Sequence, residues 1–308
     1  MRWIKQGLLY APDGSLPWAQ AYAFPATPLL IAADRLRLYV CSCDDDTVGR
    51  IGYVDVRPDD PGTILEVAER PVLDIGEPGC FDEFGLLPTC VLEVGDEVWM
   101  YYVGYSRGLR VPYWQFEGLA RSRDGGNSFQ RVQRVPVIDR SDAEPQHRTS
   151  AFVRREADGR FRMWYVAGDE WIDVGGKPLP RYNLRCVESA DGIHWPDRGR
   201  VVLDFANEDE HAFGRPWIVE DAGRLRLFYS IRTHSKDYRL GTAVSADGWT
   251  WERRDHEVGI DVGAPGDWDG GGIAYGSIFA HRDRTYLFYN GSARGRTGFG
   301  WAILDGTY

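Results

Sequence analysis

Leu225-Arg226-Leu227-Phe228-Tyr229 is a short apolar strand that closes on an aromatic residue, and the chain contains this pattern five times. The other copies are Leu36-Arg37-Leu38-Tyr39, Val98-Trp99-Met100-Tyr101-Tyr102, Phe161-Arg162-Met163-Trp164-Tyr165 and Tyr286-Leu287-Phe288-Tyr289. Anchored on Tyr39, Tyr102, Tyr165, Tyr229 and Tyr289, the steps are 63, 63, 64 and 60 residues, so five units of one size fill the 308 residues. Self-similarity at a fixed period marks a repeat architecture built from one supersecondary unit.

Each unit has the same order of parts. A first apolar strand (28–31, 89–94, 150–153, 216–219, 277–280) meets a tight polar turn, then the aromatic strand, a longer loop and a third strand. Four of the five third strands run into Asp-Gly: Asp124-Gly125, Asp191-Gly192, Asp247-Gly248 and Asp305-Gly306. Both residues tolerate the positive φ that a tight hairpin requires. An aromatic follows at Phe129, Trp195 and Trp251 and opens a fourth strand. Four short strands per unit describe a propeller blade. The expected fold is therefore all-β: a five-bladed β-propeller with four antiparallel strands per blade, residues 1–308 forming one domain. The last unit lacks a fourth strand, and Arg2-Trp3-Ile4-Lys5-Gln6-Gly7-Leu8-Leu9 reads like His194-Trp195-Pro196-Asp197-Arg198-Gly199-Arg200-Val201. Residues 1–9 are thus expected to close the last blade and remove its exposed edge.

Lys plus Arg number 36 and Asp plus Glu 46, a formal charge of −10. That balance argues against nucleic acid or an anionic membrane as a partner. No apolar run approaches the roughly 18 residues of a membrane span. The first residues have no signal-type apolar stretch, so a cytoplasmic location is expected. The five cysteines (Cys41, Cys43, Cys80, Cys90, Cys186) are odd in number and scattered, and read as reduced thiols. No spacing implies a metal or cofactor, and the oligomeric state is open.

Propeller loops alternate between two faces. One face here is built from minimal turns; the other carries long loops (11–25, 41–49, 74–87, 104–116, 139–149, 167–181, 204–215, 231–238, 261–275, 290–296). A rigid scaffold with elaborated loops on one face is where binding residues collect. Asp82, Glu144 and Glu210 each stand six residues before a matching strand opening (Pro88, Ser150, Pro216), and equivalent positions in successive blades are expected to converge on one axis. Convergent carboxylates raise one another's pKa and split into acid and base, the arrangement glycosyl transfer uses. The alternative is that they are solvated loop acids or turn caps. His147, Arg148, Asp169, Glu170, His211, Arg215, Arg232, His234, Asp269 and Tyr275 are the candidate polar binding residues, with Trp171 and Trp268 as candidate platforms for a sugar face. Arg148, Arg215, Arg232, His234 and Arg239 could ring an anion, since arginine offers a bidentate fork, or pair with neighbouring acids.

Ser189-Ala190-Asp191-Gly192-Ile193-His194-Trp195, Ser245-Ala246-Asp247-Gly248-Trp249-Thr250-Trp251 and Phe288-Tyr289-Asn290-Gly291 resemble the five-bladed propeller glycosidases. That group comprises glycoside hydrolase family 43, the invertases and levansucrases, and the mannoside phosphorylases. The resemblance spans the whole chain and implies a carbohydrate-active protein with a small-molecule ligand in a central funnel. Family 43 places acids at positions that correspond here to Thr27, Thr89 and Gly214, none of them acidic. The expectation is a glycoside hydrolase-like enzyme with Glu210 and Asp82 as acid and base and Glu144 tuning a pKa or holding a hydroxyl. The alternatives are a phosphorylase-like or other enzyme acting on an anionic sugar, and a non-catalytic sugar-binding propeller.

Overall fold

Alternating apolar strands joined by Asp-Gly and Gly-rich turns leave little room for helix. The computed structural model describes all 308 residues and is nearly all-β, with only two short 3-10 segments at Asp255–Glu257 and Ser292–Gly295. β2 (Ala21–Ala32), β3 (Arg35–Cys43), β4 (Gly49–Arg57) and β5 (Asp60–Val67) pair antiparallel in that order. So do β6 (Gly85–Val94), β7 (Glu97–Arg107), β8 (Tyr113–Ser122) and β9 (Gln130–Arg131). The next set is β10 (Arg148–Arg155), β11 (Phe161–Val174), β12 (Lys177–Ser189) and β13 (Arg200–Leu203). It is followed by β14 (Glu210–Asp221), β15 (Arg224–Thr233), β16 (Arg239–Ser245) and β17 (Glu252–Arg253). The last set is β18 (Ala274–His281), β19 (Arg284–Asn290) and β20 (Phe299–Leu304), flanked by β1 (Trp3–Tyr10), which pairs antiparallel with β20. No helix is long and apolar enough to cross a membrane.

The first strands of the sets, β2, β6, β10, β14 and β18, are neighbours in a closed cycle. The core follows the same cycle, because each hydrophobic cluster lies between two successive sets. Tyr39 and Ile51 pack with Met100 and Tyr102, Tyr101 and Trp99 with Met163 and Val187, and Trp164 and Leu184 with Phe213 and Leu227. Trp217 and Phe228 pack with Ile278, Leu287 and the N-terminal Trp3, and Leu36 and Leu38 with Tyr286, Phe288 and Trp301. At about 25 cal/mol per Å² of apolar surface removed from water, these interfaces supply the main drive for assembling the cycle.

Strand register shifts one of the tyrosine equivalences. Thr27 pairs with Tyr39 as Cys90 pairs with Tyr101 and Phe152 with Trp164. Tyr39 is thus the counterpart of Tyr101, not of Tyr102. Its hydrogen bond shows the same correspondence. Tyr39 Oη donates to the Gly126 carbonyl at 2.8 Å, Tyr101 Oη to Gly192 at 2.6 Å and Trp164 Nε1 to Gly248 at 2.8 Å. Each aromatic tip therefore ties its strand to the Asp-Gly turn of the next set. The turn itself is held by a serine two residues before the aspartate. Ser189 Oγ accepts the Gly192 N–H at 3.0 Å and Ser245 Oγ the Gly248 N–H at 2.8 Å, while the glycines take φ of 73° and 76°. A side chain at either φ would be strained.

The innermost strands are interrupted at equivalent places. Pairing shifts between Thr149 and Phe152, between Gly214 and Trp217 and between Ala274 and Ser277. Inside these bulges Ser150, Arg215 and Tyr275 take left-handed backbone, with φ of 58°, 42° and 56°. In the first two sets the same position is occupied by Pro25 and Pro88. Non-glycine residues in this region cost about 1–3 kcal/mol each and cluster where a side chain has to be re-aimed.

Candidate functional site

A cavity of about 660 Å3 lies on the long-loop side, and every set contributes to its wall. Phe24 comes from β2, Cys41 and Cys43 from β3, Leu86 from β6, Tyr105 and Arg107 from β7, Tyr113 and Gln115 from β8, and Tyr182 from β12. Arg232, Asp237 and Tyr238 come from β15 and the loop after it, Tyr275 from β18 and Arg294 from the loop after β19. A recess of about 50 Å3 shares Phe24, Leu87, Tyr105, Gln115, Tyr182, Tyr238 and Tyr275 with the cavity and adds Thr89, Thr149, Ser150, Gly214 and Arg215. The bulges explain this composition, since all three left-handed residues line the recess.

The wall is chiefly phenolic. Burial pushes the pKa of Tyr105, Tyr113, Tyr182 and Tyr275 up, so each presents a neutral hydroxyl. Tyr238 and Tyr275 rings lie 5.4 Å apart, and Phe24 stacks on Tyr275 at 6.3 Å. Asp237 is the only carboxylate on the wall.

Under the recess, Arg215 is buried without a carboxylate partner. Its Nη2 donates to the Ala26 carbonyl at 2.8 Å and to Thr27 Oγ1 at 2.9 Å, and its Nη1 to the Tyr275 carbonyl at 3.3 Å. Burial pushes its pKa down to about 9. Glu117 is equally buried, hydrogen-bonded to Thr89 Oγ1 and accepting the Ala151 N–H at 3.2 Å. Burial pushes its carboxyl up to about 8 against the pull of those bonds. At neutral pH it is chiefly protonated and bridges two innermost strands.

Of the residues singled out from the sequence, Arg215, Arg232 and Tyr275 line the cavity or its recess, and the three acids do not. Asp82 accepts from Tyr102 Oη at 3.0 Å and Arg131 Nε at 2.7 Å. Glu144 accepts from Arg148 Nε at 2.5 Å, Arg185 Nη1 at 2.9 Å, Tyr165 Oη at 2.8 Å and the Gly199 N–H at 2.7 Å. Glu210 takes both nitrogens of Arg253 at 2.8 Å and the Ala206 N–H at 2.9 Å. Asp269 repeats the pattern, with Lys5 Nζ at 2.6 Å and Tyr289 Oη at 3.0 Å. The expected convergence on the axis is therefore corrected. The regular spacing places each acid at the approach to its innermost strand, where it is clamped to other strands of its own set. For Glu210, burial alone would raise the pKa, but the Arg253 bonds, the Ala206 N–H and the Arg253 charge hold it below the usual carboxylate range. That is the opposite of what a general acid needs.

The remaining candidates are also drawn into packing. Arg148 serves Glu144 and the Asp139 and Pro196 carbonyls. Asp169 pairs with Arg185 and Glu170 with Arg181. His147 is buried behind the wall. Its Nδ1 accepts the Gln115 N–H at 3.2 Å, and burial pushes its pKa down to about 4. Trp171 packs at a tilt against His147, ring centres 5.1 Å apart, and donates to Gln146, so it buttresses the wall without forming it. Trp268 packs on Tyr289 at 5.3 Å. His211 stacks on the exposed His234 at 4.7 Å, and burial with the Arg232 charge depresses its pKa to about 4. No group of three or more His, Cys, Asp or Glu side chains is placed to hold a metal ion. Tyr182, Gln115 and Phe24 were missed because they sit in strands and read as core. The signal that could have found Tyr182 is the continuation of its strand past the length of its counterparts.

No protein-family model matches the chain. The uncharacterized protein Rv1502 of Mycobacterium tuberculosis is 34% identical over 305 residues, covering 99% of this chain and 100% of that protein. The chain belongs to the Rv1502 family. A second member of the family, MT1551 from another Mycobacterium tuberculosis strain, matches over the same extent at 34% identity. Among solved structures this chain shares its fold with a glycosidase-like group. A glycoside hydrolase superposes with a TM-score of 0.71 at 16% identity, covering 99% of this chain and 92% of that one. A thermostable family-43 glycoside hydrolase gives 0.69 at 15%, covering 93% and 90%. The β-1,2-mannobiose phosphorylase from Listeria innocua, in complex with β-1,2-mannobiose, gives 0.70 at 12%, covering 99% and 97%. At these identities the likeness is one of fold.

Proposed function

We propose that the five strand sets are the blades of a five-bladed β-propeller, four strands to a blade, forming one domain over residues 1–308. We infer further that the chain is a carbohydrate-active, glycosidase-like enzyme whose partner is a glycoside or sugar conjugate held in the central cavity. The observation that carries this reading is the wall itself: aromatic faces from every set, among them the neutral phenols of Tyr105, Tyr113, Tyr182 and Tyr275, surround a space of about 660 Å3. Rings offer flat apolar surface to the C–H face of a sugar, and the hydroxyls meet its oxygens. A cytoplasmic location belongs to the same reading, supported by five unpaired thiols.

Asp237 is the candidate proton-transfer group, as the one carboxylate on the wall. A two-carboxylate glycosidase needs partners roughly 5–9.5 Å apart, and no second carboxylate lines the cavity. That observation favours a second reading, a sugar-binding propeller without turnover. Turnover of aryl glycosides by the native chain and by Asp237→Asn, with affinity measured by calorimetry on both, separates the two. Turnover lost in Asp237→Asn supports the enzyme; saturable sugar binding without turnover in either supports the binding module. No saturable binding of any glycoside contradicts both.

A further inference from the structure

We propose that the central cavity selects sugars bearing a compact oxyanion group, a phosphate, sulfate or carboxylate, and that Arg232 is the residue that grips it. The inference rests on the carbohydrate reading above and specifies its ligand class.

The first observation is a missing counter-ion. Every other buried or half-buried arginine of the chain is paired with a carboxylate or a carbonyl oxygen. Arg232 is half-buried and has neither. It stands among the phenols of Tyr113, Tyr182, Tyr238 and Tyr275, its guanidinium 5.8 Å from the centre of the Tyr238 ring. A half-buried guanidinium without an anion is partly desolvated and uncompensated, whereas each other arginine at that depth has at least one oxygen acceptor. Phenols orient the fork without neutralising it, which leaves its donors for a ligand.

The second observation is the local charge. The chain carries a formal charge of −10, yet its cavity wall holds Arg107, Arg232 and Arg294 against Asp237 alone. Arg107 lies over the Phe84 ring at 3.5 Å. Arg294 follows Ala293, and both take left-handed backbone, with φ of 58° and 53°. Arg215 adds a further cation at the floor. Its buried Nε has no partner, and neither has the buried Oγ1 of Thr149 beside it on the recess wall. A cleft in which one sign of charge predominates focuses its field on the opposite sign. A planar guanidinium matches the paired oxygens of phosphate, sulfate or carboxylate, and the surrounding hydroxyls donate to those that remain. The volume leaves room for the sugar that carries the anion.

Calorimetric titration of the full chain with inorganic phosphate, glucose 1-phosphate, glucose 6-sulfate, glucuronate and methyl glucoside tests this. The expected result is saturable binding of at least one anion, at least tenfold tighter than methyl glucoside and weakening as salt rises. Arg232→Gln is expected to reduce that affinity at least tenfold, and Arg232→Lys to restore part of it. The ligand-free melting temperature should change little in Arg232→Gln, because no protein carboxylate or carbonyl depends on the arginine; a fall of several degrees would assign it a structural role and overturn the proposal. Anions binding no tighter than methyl glucoside, or unaffected by Arg232→Gln, would also overturn it while leaving the carbohydrate reading in place. Inorganic phosphate binding as tightly as glucose 1-phosphate would keep the anion site and remove the sugar. The relative affinities of the phosphate, sulfate and carboxylate probes identify which oxyanion the site takes.

Discussion

Arg253 holds both carboxylate oxygens of Glu210, each at 2.8 Å. The pair fastens the first residue of β14 to β17, the outermost strand of the same set, and the relation between Asp82, in the loop before β6, and Arg131 on β9 is its counterpart in the second set. These are the acids whose even spacing suggests chemistry. Their partners show that the spacing serves architecture.

Removing one member of such a clamp strands the other. Glu144→Ala would leave Arg148 and Arg185 buried without their shared carboxylate, at a cost of about 3–5 kcal/mol. Urea unfolding should show stability fall by that amount while ligand affinity per folded molecule stays within twofold. Unchanged stability with lost binding would return Glu144 to the site.

Glu117 makes stability fall on the alkaline side. Its carboxyl is raised to about 8 in the folded chain, against an ordinary value of 4.5. Between those two values the unfolded chain has released a proton that the folded chain keeps. Its own contribution to stability is therefore full below about 4.5 and declines toward pH 8, by on the order of 1.4 kcal/mol per pH unit at most. Glu117→Gln reproduces the protonated form, its amide donating to Thr89 and its carbonyl accepting the Ala151 N–H. Denaturation at pH 5, 6.5 and 8 should show the variant gaining on the native chain as pH rises. A constant difference would mean that Glu117 is ionised in the folded state.

On the acid side His147 and His211 act in the opposite sense. Both are lowered to about 4 from an ordinary 6.5, His147 by burial and His211 by burial together with the Arg232 charge. The unfolded chain takes up protons first, so their contribution is present above 6.5 and is lost as pH falls toward 4. His147 also accepts the Gln115 N–H, which a protonated ring cannot do. Imidazole titration followed by NMR should place both apparent pKa values below 5; values near 6.5 would contradict the packing described.

Residues 1–9 should be indispensable. Trp3 is buried in the cluster between the fourth and fifth sets, and β1 covers the edge of β20. Deleting them leaves that edge open and a cavity against Phe228, so the single cooperative thermal transition should be lost. A truncated chain that melts as the native one does would show that closure contributes little.

The repeat, the Asp-Gly turns and the pairing of the N-terminal strand were legible because each is local: a period, a dipeptide, a copied motif. The long-loop face was legible from loop length. The clamps were misread, because spacing along the chain does not say whether a loop acid turns toward the axis or toward the Tyr and Arg of its own outer strands. Tyr182 and Gln115 were hidden because a residue in a buried strand looks the same in sequence whether it meets another strand or a cavity. Arg215 and Tyr275 were recognised by position, but their left-handed backbone is a property of the bulge, and Arg215-Pro216 carries no sign of it. Ser150, the third member, has only a serine to show.

The position of bound ligand decides between the cavity wall and the clamps. Calorimetry with one bound sugar ligand, comparing Asp237→Asn and Tyr113→Ala on the cavity wall with Glu210→Gln in the clamp, addresses this most directly. The wall variants should weaken affinity about tenfold or more, with melting temperatures within a few degrees of the native chain, and the clamp variant should lower the melting temperature while leaving affinity near native. Affinity or turnover lost in Glu210→Gln and retained in both wall variants would contradict the placement of the site.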